Sequence, residues 1–191
     1  MAKTAKKTAR KASRKSNITP QTQEQISSAL LELFVDAIKD VYWAEKHLTR
    51  ALPKMERAAT ATELRKAFAT HLKQTNGQIS RLEKVFKLLG KKAQAKKCDA
   101  MAGLVEEASS IIEETEKGTA TRDVGLIMAA QKVEHYEIAT YGGLCQLAKT
   151  LQLEDIKNLL GATLDEEKQT DELLTTIAED HVNYDATLEE A

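Results

Sequence analysis

The sequence predicts an all-α fold, a bundle of four long helices, and three observations support this prediction. Ala, Leu, Glu, Lys and Gln recur along the 191 residues, whereas Pro occurs twice and aromatic residues make up 4%, a composition typical of helices rather than sheets. From about residue 21, apolar residues recur with a period of about 3.6. Hydrophobic residues account for 42% and charged residues for 30% of the chain, which is typical of a globular protein large enough to bury a core and disfavours an all-β fold.

The first two helices are predicted from apolar stripes and their end signals. The first runs from about residue 22 to residue 59 with a stripe from Leu30 to Met55, and Pro53 marks a place where it kinks or breaks. The second begins at Thr62, a residue type that can cap a helix, and stops at Gly90. Because only a few residues separate the two helices, we expect them to be antiparallel neighbours.

The other two helices follow a long connection. The third is predicted to begin near Thr121 and the fourth to span about residues 154–181, again with a short join between them. About thirty residues, from Gly90 to Ala120, separate the second helix from the third and contain one shorter helical pattern. Two short joins around one long crossover predict a ferritin-like four-helix bundle with a short helix in the crossover, as one domain over residues 21–185.

Polar residues interrupt the apolar stripe of each long helix near its midpoint. Most lie one heptad from apolar residues of their own helix, so they point the same way as the core residues. The interrupting residues are Glu45 on the first helix, His71, Gln74 and Gln78 on the second, Glu134 and Glu137 on the third, and Glu167 and Asp171 on the fourth. Because a bundle brings helix midpoints together, we expect one polar layer across the core.

A buried layer of carboxylates needs compensation. Ionised carboxylates taken out of water cost several kcal/mol each and repel one another. Two divalent metal ions, Fe or Mn, would neutralise them, and ferritin-like proteins build di-metal sites from such Glu and His residues. The alternative is a polar layer filled with water.

The first twenty residues form a basic tail on an acidic body. They contain no Asp or Glu, and we expect them to be disordered. The basic residues are Lys3, Lys6, Lys7, Arg10, Lys11, Arg14 and Lys15. Such a tail can bind the phosphates of nucleic acid without reading base sequence; alternatively it acts as a solubilising extension or folds over the acidic body.

Compartment signals are few. Cys98 and Cys145 lack the spacing of a zinc site and are predicted to be unpaired thiols in a reducing compartment. No apolar stretch approaches the roughly 18 residues of a membrane span, and no signal peptide follows the basic start. We therefore expect cytoplasmic residence without membrane contact.

Four stretches also resemble a known family. DVYWAEKHLTRALPKM, KCDAMAGLVEEA, KVEHYEIATYGGL and LDEEKQTDELLTTIA are similar to the YciE/YciF family of bacterial stress-associated, ferritin-like proteins over about residues 27–180. The resemblance implies a rubrerythrin-like di-metal centre, a homodimer, a role in stress and a ferroxidase- or catalase-like activity. The acidic positions of the family match Glu45, Glu134, Glu137 and Glu167.

The second helix departs from the family. Lys73 and Gln74 stand where other members often have two acids, so one metal position is weakened or empty and only one ion is bound in that case. Three functions follow as hypotheses: a di-iron or di-manganese oxidoreductase acting on Fe(II), O2 or peroxide; a nucleic-acid-associated stress protein that binds phosphates through its tail; and an interaction module whose metal site has decayed. In the first, Glu45 and Glu167 are terminal ligands, and Tyr42, Tyr136 and Tyr141 are redox or supporting partners.

Overall fold

A computed structural model describes residues 20–190, with side chains from residue 29 onward. The helices are α1 (Pro20–Ala58), α2 (Thr62–Leu88), α3 (Asp99–Glu114), α4 (Ala120–Thr150), α5 (Glu154–Ile177) and α6 (Asn183–Ala186), and a π-helical turn (Ala178–Val182) joins α5 to α6. These described residues contain no strand, which confirms the all-α prediction. None of their helices has both the length and the apolar character that crossing a membrane requires.

The four long helices form a closed ring of contacts. α1 packs on α2, α2 on α5, α5 on α4, and α4 on α1. The crossover helix α3 packs outside this ring, against α4 and α1. The connection predicted between residues 90 and 120 therefore contains one helix, as the sequence indicated.

The core consists of two apolar clusters, and every long helix contributes to both. The first cluster includes Leu48, Leu52, Leu64, Phe68, Leu126, Ile127, Leu174 and Ile177. The second includes Phe34, Ile38, Leu82, Phe86, Tyr141, Leu144, Ile156 and Leu160. Their order along the chain fixes the helix directions: α1 and α5 run from the second cluster to the first, whereas α2 and α4 run the opposite way. The crossover returns the chain between the two parallel helices.

The start of α2 differs from the prediction. Thr62 is the first helical residue rather than the cap, and Ala61 in the cap position makes no side-chain capping bond. The carboxylate of Asp123, which is buried on α4, instead accepts the backbone N–H groups of Thr60 at 2.8 Å and Ala61 at 2.6 Å. A side chain from a distant helix thus satisfies the donors that a local cap usually satisfies.

Pro53 and Gly90 were the two residues expected to interrupt or end a helix. α1 continues through Pro53 to Ala58, which agrees with the predicted extent of the helix. Of the two alternatives at Pro53, the break is wrong, because packing of the surrounding helix into the first cluster outweighs one lost backbone bond. α2 ends at Leu88, and Gly90 takes a φ of 66°. This left-handed conformation favours glycine and confirms the predicted stop.

Candidate metal centre

A layer of buried polar residues lies across the core. Six of the predicted residues are 2% exposed or less: Glu45, His71, Gln78, Glu134, Glu137 and Glu167. They come from α1, α2, α4 and α5, and those of α2, α4 and α5 lie between each helix's contributions to the two apolar clusters. On α1, Glu45 directly follows Ala44, the first residue that this helix contributes to the first cluster. The predicted convergence of four helix midpoints is therefore found in the structure.

Four of these residues form a cluster with metal-ligand chemistry. His71, Glu134, Glu137 and Glu167 each place one ligand atom within 4.8 Å of the others. Nε2 of His71 lies 3.3 Å from Oε1 of Glu134 and 4.0 Å from Oε2 of Glu167. Imidazole nitrogen and carboxylate oxygen together suit iron, manganese and zinc.

Thr170 contacts Nδ1, the ring nitrogen of His71 that faces away from the carboxylates. The Thr170 hydroxyl donates to the carbonyl oxygen of Glu166 at 3.1 Å and lies 3.4 Å from Nδ1 of His71. When the single hydroxyl hydrogen is directed at the Glu166 carbonyl, Nδ1 is the donor in the second contact. The lone pair of Nε2 is then free and faces the carboxylates, which is the form of histidine that binds metals.

The layer holds all the unsatisfied buried polar side-chain atoms found in the described part of the chain. These atoms are Glu45 Oε2, His71 Nε2, Gln78 Oε1, Glu134 Oε2, both carboxylate oxygens of Glu137, and Glu167 Oε2. All of them are acceptors when the carboxylates are ionised and His71 is neutral. Protein side chains supply no donors for them, so a proton, a water molecule or a cation is required.

Burial shifts the pKa values of the glutamates and the histidine of the layer. Burial, and then the charge of neighbouring carboxylates, raises the pKa of Glu45, Glu134 and Glu137 well above the ordinary value. Burial likewise raises the pKa of Glu167 to about 7. Burial lowers the pKa of His71 to about 4, so its imidazole is neutral at pH 7.

Glu45 is held by a tyrosine. The hydroxyl of Tyr141, which is fully buried on α4, donates to Oε1 of Glu45. The other two tyrosines named from the sequence bond elsewhere: Tyr42 donates to Glu83, and Tyr136 contacts Asp40 and Cys98. Of the three, Tyr141 alone hydrogen-bonds a residue of the layer.

An ion pair that sequence reasoning missed borders the layer between α2 and α5. Arg81 donates to both carboxylate oxygens of Glu166, and each side chain is 24% exposed. The amide nitrogen of Gln78 lies 3.2 Å from Glu166 and 2.5 Å from Glu167. The ion pair thus lies between solvent and the buried carboxylates. Two adjacent glutamates at 166 and 167 were the only sequence signal for it.

Two predicted ligands are not among the buried residues of the layer. Asp171 is half-buried and contacts Gln131 and His135 at 3.2 and 3.3 Å. The rotation of α5 turns Thr170 toward the core and leaves Asp171 outside the four-residue cluster, so its role as a ligand stays a prediction. Gln74 is half-buried beside His71 and affects its pKa.

The remaining predictions concern the cysteines, the basic tail and the oligomeric state. Cys98 and Cys145 are free thiols, as expected. The basic tail and its proposed nucleic-acid contacts lie outside the described residues, and the homodimer stays a prediction.

Comparisons with known proteins agree with the resemblance found in the sequence. A family model described as a domain of unknown function, DUF892, matches residues 29–187. Protein YciF of Escherichia coli strain K12 is 49% identical over 156 residues, which cover 81% of this chain and 93% of that protein. The crystal structure of the E. coli stress protein YciF matches with a TM-score of 0.77 at 48% identity, covering 81% of this chain and 97% of that one. YcfI of Rhodopseudomonas palustris matches with a TM-score of 0.75 at 39% identity, covering 77% and 93%.

Proposed function

From the premise that this chain belongs to the DUF892 family and is a relative of the stress protein YciF, we propose that it is a ferritin-like four-helix protein that binds two divalent metal ions, Fe or Mn, in its polar layer. The closed ring of four long helices, with one long crossover between α2 and α4, supports the ferritin-like assignment. The description of its E. coli relative as a stress protein supports a role in stress.

The observation that carries the proposal is the convergence of unsatisfied acceptors. The free lone pair of His71 Nε2 faces Glu134 at 3.3 Å, although neither atom has a hydrogen to share when the carboxylate is ionised. Both carboxylate oxygens of Glu137 are buried without a partner. Metal ions would replace the protons that these carboxyls otherwise retain and would use all of these acceptors at once.

The donor atoms are sufficient for two ions. His71, Glu134, Glu137 and Glu167 provide the nitrogen and carboxylate oxygens of the first site. The free Oε2 of Glu45, which lies in the same layer, would help to hold the second. Gln78 adds a neutral amide oxygen, so the second helix contributes less negative charge than two acids would. The two sites should therefore differ in affinity.

Bound iron or manganese would supply one-electron redox chemistry, and we propose that the protein oxidises Fe(II) with peroxide as the acceptor. In this reaction two Fe(II) become Fe(III), and one H2O2 takes up two electrons and two protons to give two water molecules. The chain's own residues bind and orient the cations, and the apolar clusters on both sides limit the entry of bulk water.

The stoichiometry of metal binding tests this proposal. Protein purified without chelator or affinity metal, then loaded anaerobically with Fe(II) or Mn(II) and desalted, should contain about two metal ions per chain by elemental analysis. The double variant Glu134→Gln and Glu167→Gln should lose both. A matched variant, Glu106→Gln and Glu172→Gln, changes the same charge at exposed positions and should retain them.

Two results would overturn the proposal. One is the absence of metal in the loaded wild-type protein; the other is retention of metal by the variant at Glu134 and Glu167. If metal binds but the protein consumes peroxide no faster than the Glu134 and Glu167 variant does, the redox activity is wrong and the metal site stands.

A further inference from the structure

A basic crevice lies at the end of the molecule where α1 and α3 end and α4 begins. It has a volume of about 360 Å³. Four cationic side chains line it, Lys54, Arg57, Lys117 and Arg122, against one carboxylate, Glu113. Ala58 and Ile112 provide an apolar wall. The crevice shares no lining residue with the polar layer of the core.

Arg122 is the cation of this crevice whose position is fixed by hydrogen bonds. It is 7% exposed, and its guanidinium is held by α3: Nε donates to the Thr115 hydroxyl at 3.1 Å, and Nη2 donates to the carbonyl oxygens of Ile112 and Thr115. These bonds satisfy the carbonyl of Ile112 in the last turn of α3 and that of Thr115, which follows the helix. The other amino nitrogen, Nη1, makes no hydrogen bond within the described residues, so it is left to face the crevice.

The four cations of the crevice form no ion pairs with carboxylates of the described residues. Among the described residues, none of the four cations has a carboxylate within 4.0 Å, whereas six other Lys and Arg residues do. Glu113 lines the crevice without pairing with any of them. Four cations converging on one cavity raise its affinity for anions, because each is repelled by the others until a counter-charge binds.

We propose that this crevice binds the phosphate group of a small phosphorylated molecule, with Arg122 and Arg57 as its anchors and Lys54 and Lys117 as flanking charges. A guanidinium with free N–H groups matches the oxygens of a phosphate better than a single ammonium does. The apolar wall and the volume exceed the needs of a bare ion and suit an organic portion. This proposal is independent of the metal centre.

Pyrophosphate is the probe, and the full chain is titrated at constant pH and ionic strength with no added metal. The Nε–Hε signals of Arg122 and Arg57 in ¹H–¹⁵N NMR spectra should shift saturably. The variant Lys54→Gln and Lys117→Gln should bind about tenfold more weakly or worse, since each lost contact is charge-assisted. Lys91→Gln and Lys92→Gln remove the same charge at exposed positions elsewhere and should bind as the wild type does.

The matched variants separate crevice binding from general attraction to the basic tail, which both retain. Equal weakening in the two double variants would overturn the proposal, as would unsaturable shifts. Shifts of the same arginine signals by a single-stranded oligonucleotide but not by pyrophosphate would also overturn it and identify a nucleic-acid surface instead. An equal response to sulfate would show that the crevice takes oxyanions without preference for phosphate and would overturn the assignment to phosphate.

Discussion

The hydroxyl oxygen of Thr170 on α5 lies 3.4 Å from Nδ1 of His71 on α2. This contact is on the side of the ring opposite the carboxylates, so it orients the imidazole without occupying the nitrogen that faces them. Thr170 is itself tied to the backbone of its own helix through the carbonyl of Glu166. The position of His71 therefore depends on the packing of α5.

Replacement of Thr170 by Val should weaken metal binding while preserving the shape of the core. Valine fills nearly the same volume but cannot accept the Nδ1 hydrogen, so His71 loses its preferred tautomer. We expect affinity for Mn(II) to fall by about 10- to 100-fold, as for other supporting partners of metal-binding histidines. Competition with a chromophoric chelator measures this affinity. Thr170→Ser keeps the hydroxyl and should stay close to the wild type; an equal loss in both variants would argue against the orienting role.

Replacement of Tyr141 by Phe should destabilise the metal-free protein. The variant leaves Oε1 of Glu45 buried without its donor, and an unsatisfied buried acceptor costs about 1–3 kcal/mol. Urea denaturation at pH 7 measures the change in the free energy of unfolding. Tyr42→Phe serves as the control, because its partner Glu83 is exposed and can bond water instead. Equal losses in the two variants would contradict this prediction.

The metal-free protein should become less stable as the pH rises from about 5 to 8. The raised pKa of the buried glutamates means that the folded state holds protons that the unfolded chain, with a Glu pKa of about 4.3, has already released. For Glu167 this contribution is lost as the pH rises through about 7. His71, with a pKa lowered to about 4, and His47, whose pKa burial also lowers, act in the opposite direction below about pH 6.5, but the four buried glutamates outnumber them.

Thermal unfolding at matched ionic strength checks this dependence. The midpoint temperature of the metal-free protein should fall between pH 5 and pH 8, and saturating Mn(II) should reduce the fall, since a bound cation stabilises the ionised carboxylates. Glu167→Gln should flatten the part of the curve near pH 7. A midpoint that rises steadily across the range would show that the carboxyl protons are not retained in the fold.

Replacement of Arg81 by Gln should accelerate metal loading without changing the number of ions bound. The guanidinium pairs with Glu166 at the border of the layer and lowers the pKa of Glu45 and Glu167 by its charge. The same charge repels an incoming divalent cation. We expect a several-fold increase in the rate of Mn(II) uptake in stopped-flow measurements.

The control for this prediction is Lys132→Gln, which breaks an exposed ion pair with Glu107 away from the layer. Uptake by this variant should match the wild type. A slower uptake by Arg81→Gln would mean that the Arg81 and Glu166 pair guides cations inward rather than delaying them.

Much of the fold was predictable because its signals are local or periodic. The apolar stripes and the long connection after Gly90 predicted the four long helices and the crossover helix. The heptad relation between Glu45 and its apolar neighbours Ile38 and Leu52 also placed a carboxylate in the core. Six of the eight proposed ligand positions are buried in one layer. Residues on the side of a helix that faces the core are buried together, whether they are apolar or polar.

What escaped prediction depends on contacts between distant segments. Nothing near Thr62 indicates that Asp123, more than sixty positions away, binds the backbone before α2. The choice between Thr170 and Asp171 is a difference of one position on a helix, which the stripe does not resolve. The pairing of Arg81 with Glu166 likewise follows from the approach of α2 to α5, since both residues are partly exposed and lie off the core stripes.

The order of apolar, polar and apolar segments along each long helix limits where the chain can change length. One residue inserted between Ile127 and Glu134, for example, would rotate the rest of α4 by about 100° and shift it by about 1.5 Å. Glu134, Glu137 and the residues of the second cluster would all leave their places together. The connection at residues 91–95 is not helical and is mostly exposed, so it carries no such register. Insertions and deletions should accordingly be tolerated between residues 91 and 95 and excluded from the four long helices, as a library of single-residue insertions would reveal.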